Sequence, residues 1–207
     1  MNIEFNQVSK RYRYEWILKN FSYKFESNKS YSIIGQNGSG KSTLVQLISC
    51  YLSPSKGNIK YYDDNMLVDN NNVYKHISFS SPYIDLTEEL TLEETVKFHF
   101  SFKPLLQSLS HKSFFEIIGL PKSALNKQVR FFSSGMKQRL KLGLSFLSDT
   151  PILLLDEPTI TLDREGVAWY KLLLEKYALN KRLVIIASNV EEDIEFCNEN
   201  IKMSDLK

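Results

Sequence analysis

A glycine-rich segment constrains the fold of this chain more than any other part of the sequence. Residues 35–43 read Gly-Gln-Asn-Gly-Ser-Gly-Lys-Ser-Thr and fit the pattern Gly-x4-Gly-Lys-[Ser/Thr] of a phosphate-binding P-loop. Residues 30–34 before it predict a strand, and residues 41–51 predict a helix with apolar positions at helical spacing. We therefore expect the strand–loop–helix unit of an α/β fold, because a chance glycine-rich turn would lack this context.

The chemistry of phosphate binding explains these residue types. Glycine has no Cβ, so phosphate oxygens can approach the backbone closely. The turn points several N–H groups inward as an anion-binding nest, and the helix that follows adds its positive N-terminal end. Lys41 supplies a positive charge for the β- and γ-phosphates, and the Ser42 hydroxyl is placed to ligate Mg²⁺. The predicted phosphate-binding residues are Gly35, Gln36, Asn37, Gly38, Ser39, Gly40, Lys41, Ser42 and Thr43.

A pair of acidic residues follows an apolar run late in the chain. Residues 152–155 read Ile-Leu-Leu-Leu and are followed by Asp156 and Glu157. A continuous apolar run is typical of a strand buried on both faces, and its carboxyl end faces the crevice where α/β proteins bind ligands. We expect Asp156 to hold Mg²⁺ through water and Glu157 to orient or deprotonate the attacking water. The alternative is an exposed acidic turn, which the upstream P-loop disfavours.

The distribution of strand and helix patterns predicts the architecture. The first third alternates apolar and polar residues, as in half-buried antiparallel strands, and the last third alternates buried strands with helices. The middle is helical, with a capping-box pattern at Thr91 and Glu94. We predict an α/β P-loop NTPase with a mostly parallel core sheet, an N-terminal antiparallel β-subdomain and a helical subdomain at about residues 83–148, all within one domain of residues 1–207.

Composition excludes several other classes of protein. The 26 basic and 24 acidic residues of 207 give a net charge of +2, which does not indicate a nucleic-acid-binding protein. The two cysteines, Cys50 and Cys197, are too few and too far apart for a disulfide framework or a thiolate zinc site. The apolar runs are far below the ~20 residues of a membrane span, and the N-terminus lacks the pattern of a secretory signal. We expect a cytoplasmic protein that reaches a membrane only through a partner.

A third motif distinguishes among the protein families that have both a P-loop and an acidic residue at the end of a strand. Residues 132–140 read Phe-Ser-Ser-Gly-Met-Lys-Gln-Arg-Leu and resemble the Leu-Ser-Gly-Gly-Gln signature of the ATP-binding cassette (ABC) family, with Ser133 and Gly135 at matching positions. Residues 160–163 resemble the short loop ending in Asp of that family, and the resemblance covers essentially the whole chain. The same residues also predict a Ser-capped amphipathic helix, and both interpretations can hold together.

The resemblance implies how the cofactors and partners are arranged. In this family the signature of one chain contacts ATP held by the P-loop of another, so it implies a head-to-tail dimer, homo- or heteromeric, with Ser133 and Gly135 as ATP contacts. It also implies an aromatic residue that stacks on adenine. Tyr12 is the best positional match, with Tyr14 and Trp16 as competitors. The alternative is that Tyr12 only packs on the N-terminal sheet. The helical subdomain is expected to dock on a transmembrane permease subunit.

Three positions depart from the family pattern. Ser134 replaces the first signature glycine, which is a mild change. The glutamine that usually ligates Mg²⁺ falls at Pro82 by spacing, so its role cannot be carried over, although the hydroxyl of Ser80 or Ser81 is a possible substitute. Asn189 occupies the place of the switch histidine; asparagine can donate a hydrogen bond to a γ-phosphate but cannot carry a proton.

The segment around Asn189 also allows a purely structural interpretation. Asn189 with Glu192, or Ser188 with Glu191, would form a capping box for the helix predicted next. None of the three histidines lies where it could replace the missing one. Whether Pro82 and Asn189 reduce hydrolysis is therefore left open by the sequence.

The sequence thus favours an ATP-binding and ATP-hydrolysing subunit of an ABC membrane transporter with slow hydrolysis. The short chain resembles exporter-type subunits such as those named for haem export. The alternative is a nucleotide-gated regulatory or structural ABC module with little turnover. A P-loop kinase would need an acceptor site and an arginine-rich lid, and neither is found. Related nucleic-acid ATPases usually carry two cassettes or long insertions.

Overall fold

The computed structural model describes residues 1–206, and the predicted domain boundary at residue 207 lies outside them. Nine strands and six α-helices occur in this part of the chain. The strands are β1 (Asn2–Tyr12), β2 (Glu15–Phe25), β3 (Ser30–Ile34), β4 (Lys56–Asp63), β5 (Met66–Val68), β6 (Ile77–Ser80), β7 (Ile152–Asp156), β8 (Leu183–Ala187) and β9 (Glu199–Lys202). The helices are α1 (Lys41–Ile48), α2 (Leu92–Phe102), α3 (His111–Ile118), α4 (Ser134–Leu147), α5 (Arg164–Tyr177) and α6 (Glu191–Ile194).

The strands form two sheets of different type. β6, β7, β8, β3 and β9 lie in that order in a sheet whose neighbours are all parallel. β2, β1, β4 and β5 form an antiparallel sheet at the N-terminal end of the chain. This confirms the predicted α/β fold with a parallel core sheet and an N-terminal antiparallel addition. The three helices α2, α3 and α4 fall between β6 and β7.

The central strands are buried on both faces, as their continuous apolar runs predict. On β7, Ile152 and Leu154 contact one apolar cluster, together with α1 and the antiparallel sheet. Leu153 and Leu155 point the other way, into a cluster formed with residues of α2 to α5. Because both faces are covered, the strand ends are the places where this sheet can meet a ligand, and the carboxyl ends of β3 and β7 lie on the same edge.

Side-chain caps were predicted at the starts of α2 and α6, and the structure contains only the first. Thr91 and Glu94 form a complete capping box at the start of α2. The capping box predicted near Asn189 is wrong, because Val190 precedes α6 and no side chain caps that helix. The Ser188 hydroxyl donates instead to Asp193 Oδ2 at 2.5 Å. The helix predicted after Asn189 is α6, a short helix of four residues. No helix within residues 1–206 is both long and apolar enough to cross a membrane.

Candidate nucleotide site

The predicted P-loop joins the end of β3 to the start of α1. Gly40 has φ 106°, and a Cβ there would lie 2.3 Å from Ile17 Cγ2, so only glycine fits. Gly40 also occupies the cap position of α1, where no side chain caps the helix and no acidic residue lies in the first turn. The first N–H groups of α1 are therefore free of side-chain acceptors. An anion placed against them would be stabilised by these donors and by the helix dipole.

Lys41 is buried at the first position of α1 and reaches back across the loop. Its Nζ donates to the Gly35 carbonyl at 2.7 Å and lies 3.9 Å from Glu157 Oε1. The lysine of the P-loop and the acidic pair after β7 are 115 positions apart in the chain, yet the fold brings them into one pocket. The structure therefore places Lys41 and Glu157 together, as the sequence predicts for the two halves of one site.

Asp156 ends β7 and is almost fully buried. Burial raises the pKa of its carboxyl, and the nearby hydroxyls of Ser42 and Ser81 oppose that rise. Ser81 Oγ donates to Asp156 Oδ2 at 3.4 Å, whereas Asp156 Oδ1 has no hydrogen-bond partner among the described residues. A buried carboxylate oxygen without a partner, beside a serine hydroxyl, is a donor set that suits a hard cation such as Mg²⁺.

The loop after β6 places Ser81, and not Pro82, against the acidic carboxylate. Spacing from Leu90 and Thr91 puts Pro82 at the family's glutamine position, and Pro82 has no side-chain oxygen to offer. In the structure the position that reaches Asp156 is one residue earlier and carries a hydroxyl. Ser80 is buried as well, but its Oγ has no partner within residues 1–206. Of the two hydroxyls left open by the sequence, Ser81 is therefore the one at this site.

Glu157 follows Asp156 in a backbone conformation that is uncommon outside glycine. Its φ is 46°, and its N–H donates to the Ala187 carbonyl at the end of β8 at 2.8 Å. This conformation turns the chain sharply after β7. The Glu157 side chain is about one-third exposed, so it faces the pocket that contains Lys41 while Asp156 stays buried beneath it.

Asn189 lies against the P-loop. Its Oδ1 accepts from the Gly35 N–H at 3.4 Å, and its Nδ2 donates to Asn37 Oδ1 at 3.0 Å. The side chain therefore bonds two P-loop residues rather than capping α6. This contact places a hydrogen-bond donor at the edge of the phosphate loop. The amide cannot act as an acid or a base.

A cleft of about 560 Å³ opens above the P-loop. Tyr12 lines it and is 45% exposed, whereas the competitor Tyr14 is 98% exposed and does not. The other competitor, Trp16, lies under the Arg11 and Lys56 side chains. The lining residues of the cleft are Tyr12, Ile17, Asn37, Gly38, Gly40, Lys41, Ser42, Thr43, Gln46, Tyr83, Glu157 and Ile160.

Besides Gln46 on α1, three residues that line the cleft are not among the site residues predicted from the sequence. Ile17 and Tyr83 come from β2 and from the loop after β6, and no motif covers either segment. The sequence indicates Ile160 only as part of a loop ending in Asp163. These three residues reach the cleft only through the packing of the antiparallel sheet and of the loops after β6 and β7. Sequence patterns do not reveal such tertiary contacts.

Ser133 and Gly135 lie at the start of α4 and do not line the cleft within this chain. Ser133 is exposed and caps α4, accepting from the Met136 N–H at 3.2 Å. A Cβ on Gly135 would lie 3.5 Å from the Thr161 carbonyl. The start of α4 therefore lies against the loop after Glu157, and neither Ser133 nor Gly135 lines the P-loop cleft of its own chain.

Comparison with known proteins decides the family. The family model described as ABC transporter matches residues 18–160, which include the P-loop, the signature segment and the acidic pair. This chain belongs to the ABC transporter family. The predicted family resemblance is thereby confirmed; the narrower resemblance to haem-export subunits stays a prediction.

Relatives of this ABC chain match it over most of their length. The uncharacterized ABC transporter ATP-binding protein YybJ of Bacillus subtilis is 29% identical, covering 98% of this chain and 92% of the relative. The energy-coupling factor transporter ATP-binding protein EcfA2 of Staphylococcus epidermidis is 27% identical, covering 99% and 77%.

Solved structures share the fold. The dimeric bacterial ABC transporter cassette MJ0796 is 25% identical with a TM-score of 0.81, over 97% of this chain and 94% of that one. A putative ABC transporter ATP-binding protein from Pyrococcus furiosus is 24% identical with a TM-score of 0.82, over the full length of both chains. The ABC cassette fold therefore spans the whole described chain.

Proposed function

We propose that this chain is the ATP-binding and ATP-hydrolysing subunit of an ABC membrane transporter, and that it energises transport through ATP-driven dimerisation. The observation that carries the proposal is the convergence of Lys41, Asp156 and Glu157 at one cleft in a member of this family. Its relatives YybJ and EcfA2 are named as transporter ATP-binding proteins, which favours this function over a nucleotide-gated regulatory module.

Different residues of the cleft bind the nucleotide, hold the metal ion and activate water. The P-loop amides and Lys41 bind the phosphates of ATP. Ser42 and Asp156 would hold Mg²⁺, which neutralises charge on the phosphates when it is bound. Mg²⁺ typically binds one or two carboxylates, and phosphate oxygens and water complete its coordination. A magnesium site of this kind therefore does not require three acidic side chains. Glu157 orients the attacking water and accepts its proton.

A second ABC subunit, identical or different, completes the site in this proposal. Ser133 and Gly135 stand on a surface apart from the cleft of their own chain, so they are available to the ATP of a partner. The exposed hydroxyl and the amide groups at the start of α4 suit a γ-phosphate. MJ0796, of the same fold, forms a dimer. The helical subdomain, at about residues 83–148, would dock on the transmembrane permease and hold the chain at the cytoplasmic face of the membrane.

Slow hydrolysis follows from the side chains around the γ-phosphate position. Asn189 cannot exchange a proton, and Ser81 offers a hydroxyl where the family usually has glutamine. We expect Asn189→His to raise the ATP turnover rate about tenfold, because a positioned acid–base group typically contributes a factor of about 10² to 10⁴ to a rate. Steady-state release of phosphate by the purified protein measures this.

The comparison for that experiment is Asn189→Ala, which removes the amide without supplying an imidazole. If the alanine variant gains as much rate as the histidine variant, the gain comes from breaking the contact with Asn37, and the explanation by proton transfer is wrong. A wild-type rate as high as that of the histidine variant would contradict slow hydrolysis.

Tyr12 is proposed to stack on the adenine ring. We expect Tyr12→Ala to weaken ATP binding about tenfold, because stacking of a base on an aromatic ring is worth about 1–3 kcal/mol and about 1.4 kcal/mol corresponds to a factor of ten. The matched control is Tyr14→Ala, at a fully exposed tyrosine outside the cleft. Titration with a fluorescent ATP analogue measures both; an equal loss in the two variants would refute the assignment.

A further inference from the structure

The backbone of Glu157 requires support from its surroundings. A non-glycine residue at positive φ costs on the order of 1–3 kcal/mol and persists only where neighbouring contacts fix it. Before the turn, the Glu157 N–H is bonded to the Ala187 carbonyl. After the turn, the Glu157 carbonyl accepts from the Ile160 N–H at the long distance of 3.4 Å, and the next carbonyl is that of Pro158. What holds the Pro158 carbonyl therefore contributes to how firmly the Glu157 turn is fixed.

A side chain from α4 bonds this carbonyl. Gln138 Nε2 donates to the Pro158 carbonyl at 2.7 Å, and Gln138 is only 4% exposed. A buried side-chain donor and a buried carbonyl each cost about 1–3 kcal/mol if left without a partner. The bond is thus strongly favoured once the loop is packed, and it fixes the position of the residue next to Glu157.

The same helix also contacts the neighbouring loop. Lys141, one turn further along α4, directs its Nζ toward the carbonyls of Ser81 and Pro82 at 3.4 and 3.5 Å. These residues follow β6, and the Ser81 hydroxyl bonds Asp156. One face of α4 therefore contacts both loops that carry the acidic end of the cleft, while the first residues of α4 carry Ser133 and Gly135.

We propose that Gln138 is a positioning residue for ATP hydrolysis, which holds the Pro158 carbonyl so that the Glu157 carboxylate faces the cleft. The inference rests on the function proposed above, because it acts through Glu157. It also connects two sites within one chain: the helix that presents Ser133 and Gly135 to a partner's ATP is bonded directly to the loop that positions Glu157 for the chain's own ATP.

The test separates positioning from general stability. Gln138→Met keeps the size of the side chain and removes the donor. We expect kcat to fall about tenfold, equivalent to 1.36 kcal/mol in the barrier, while the ATP dissociation constant changes less than about twofold, since the P-loop and Tyr12 are untouched. Within the Glu157→Gln background the same substitution should cause no further loss of rate, because the residue it positions has already been disabled.

A second variant and a matched control keep the result interpretable. In Gln138→Glu the carboxyl can donate to Pro158 only when protonated, so its rate relative to wild type should rise as the pH falls. The control is Gln128→Glu, because Gln128 also donates to a carbonyl, that of Glu89 at 2.9 Å, but it is only partly buried and lies outside the cleft. That control should keep wild-type kcat.

Three outcomes would overturn the inference. One is an unchanged kcat in Gln138→Met. Another is a parallel loss of kcat, ATP affinity and melting temperature, which would mean that Gln138 only stabilises the fold. The third is a flat relative pH profile for Gln138→Glu, which also decides the matter if the methionine variant does not fold. If Glu157→Gln itself leaves hydrolysis intact, the proposed function of Glu157 has failed, and that result is distinct from all three.

Discussion

Lys41→Ala is expected to weaken ATP binding severely, so that concentrations that saturate the wild type no longer saturate the variant. Lys41 Nζ is the positive charge buried at the base of the cleft, 2.7 Å from the Gly35 carbonyl, with Glu157 as its acidic neighbour. Truncating one partner of a buried charge pair costs about 2–5 kcal/mol, which corresponds to a loss of about 30-fold or more in affinity. Glu157 would also lose its counter-charge and repel the phosphates.

The matched control for this experiment is Lys60→Ala. Lys60 lies exposed on β4, so the control removes the same charge from the chain without touching the cleft. Isothermal titration calorimetry with Mg-ATP measures both variants, and circular dichroism checks that each is folded. If Lys41→Ala binds ATP as tightly as the control, the P-loop does not bind the phosphates in this protein, and the proposed function is wrong at its first step.

The fold could be predicted from the sequence because its strongest signals are local. The glycine spacing of residues 35–43 is typical of a turn between a strand and a helix. The apolar runs of β7 and β8 specify strands buried on both faces, hence a sheet that is covered on both faces. Neither signal needs contacts between distant residues, which is why the predicted architecture agrees with the structure.

The candidate site was predicted less completely, because several of its contacts depend on register and on loop geometry. A count along the sequence placed Pro82 at the glutamine position, whereas the path of the loop after β6 brings Ser81 to Asp156. The capping box near Asn189 fits the sequence equally well, but the amide bonds Asn37 and Gly35 instead. The contact of Gln138 could not be predicted from its place in the signature helix. It depends on a carbonyl twenty positions later in the chain, which only the tertiary structure brings close.

The positive φ of Glu157 could not be inferred from composition, because glutamate has no preference for that region. The structure nevertheless fixes it from three sides: β8 through Ala187, α4 through Gln138, and the P-loop lysine through its charge. Elements from three parts of the chain therefore converge on the orientation of a single carboxylate. Such convergence at one strained residue is expected where the residue takes part in the chemistry.

Glu157→Gln should consequently lower the ATP turnover rate about 100-fold or more while leaving ATP binding in place. The amide has the shape of the carboxylate but cannot accept the proton of the attacking water, and general-base catalysis typically contributes a factor of about 10² to 10⁴. The phosphate contacts of the P-loop and Lys41 do not depend on this carboxylate. Removing its charge also relieves repulsion toward the γ-phosphate, so ATP affinity should stay equal or rise slightly.

The control for Glu157→Gln is Glu175→Gln, at an exposed glutamate on α5. Single-turnover phosphate release, with ATP binding measured on the same preparation, separates the chemical step from affinity. A variant that binds ATP and still hydrolyses it at the wild-type rate would show that the water is activated elsewhere. The strained turn held by Ala187 and Gln138 would then need another explanation. The positive φ of Glu157 costs free energy, and a side chain that takes no part in the reaction would not explain why it is kept.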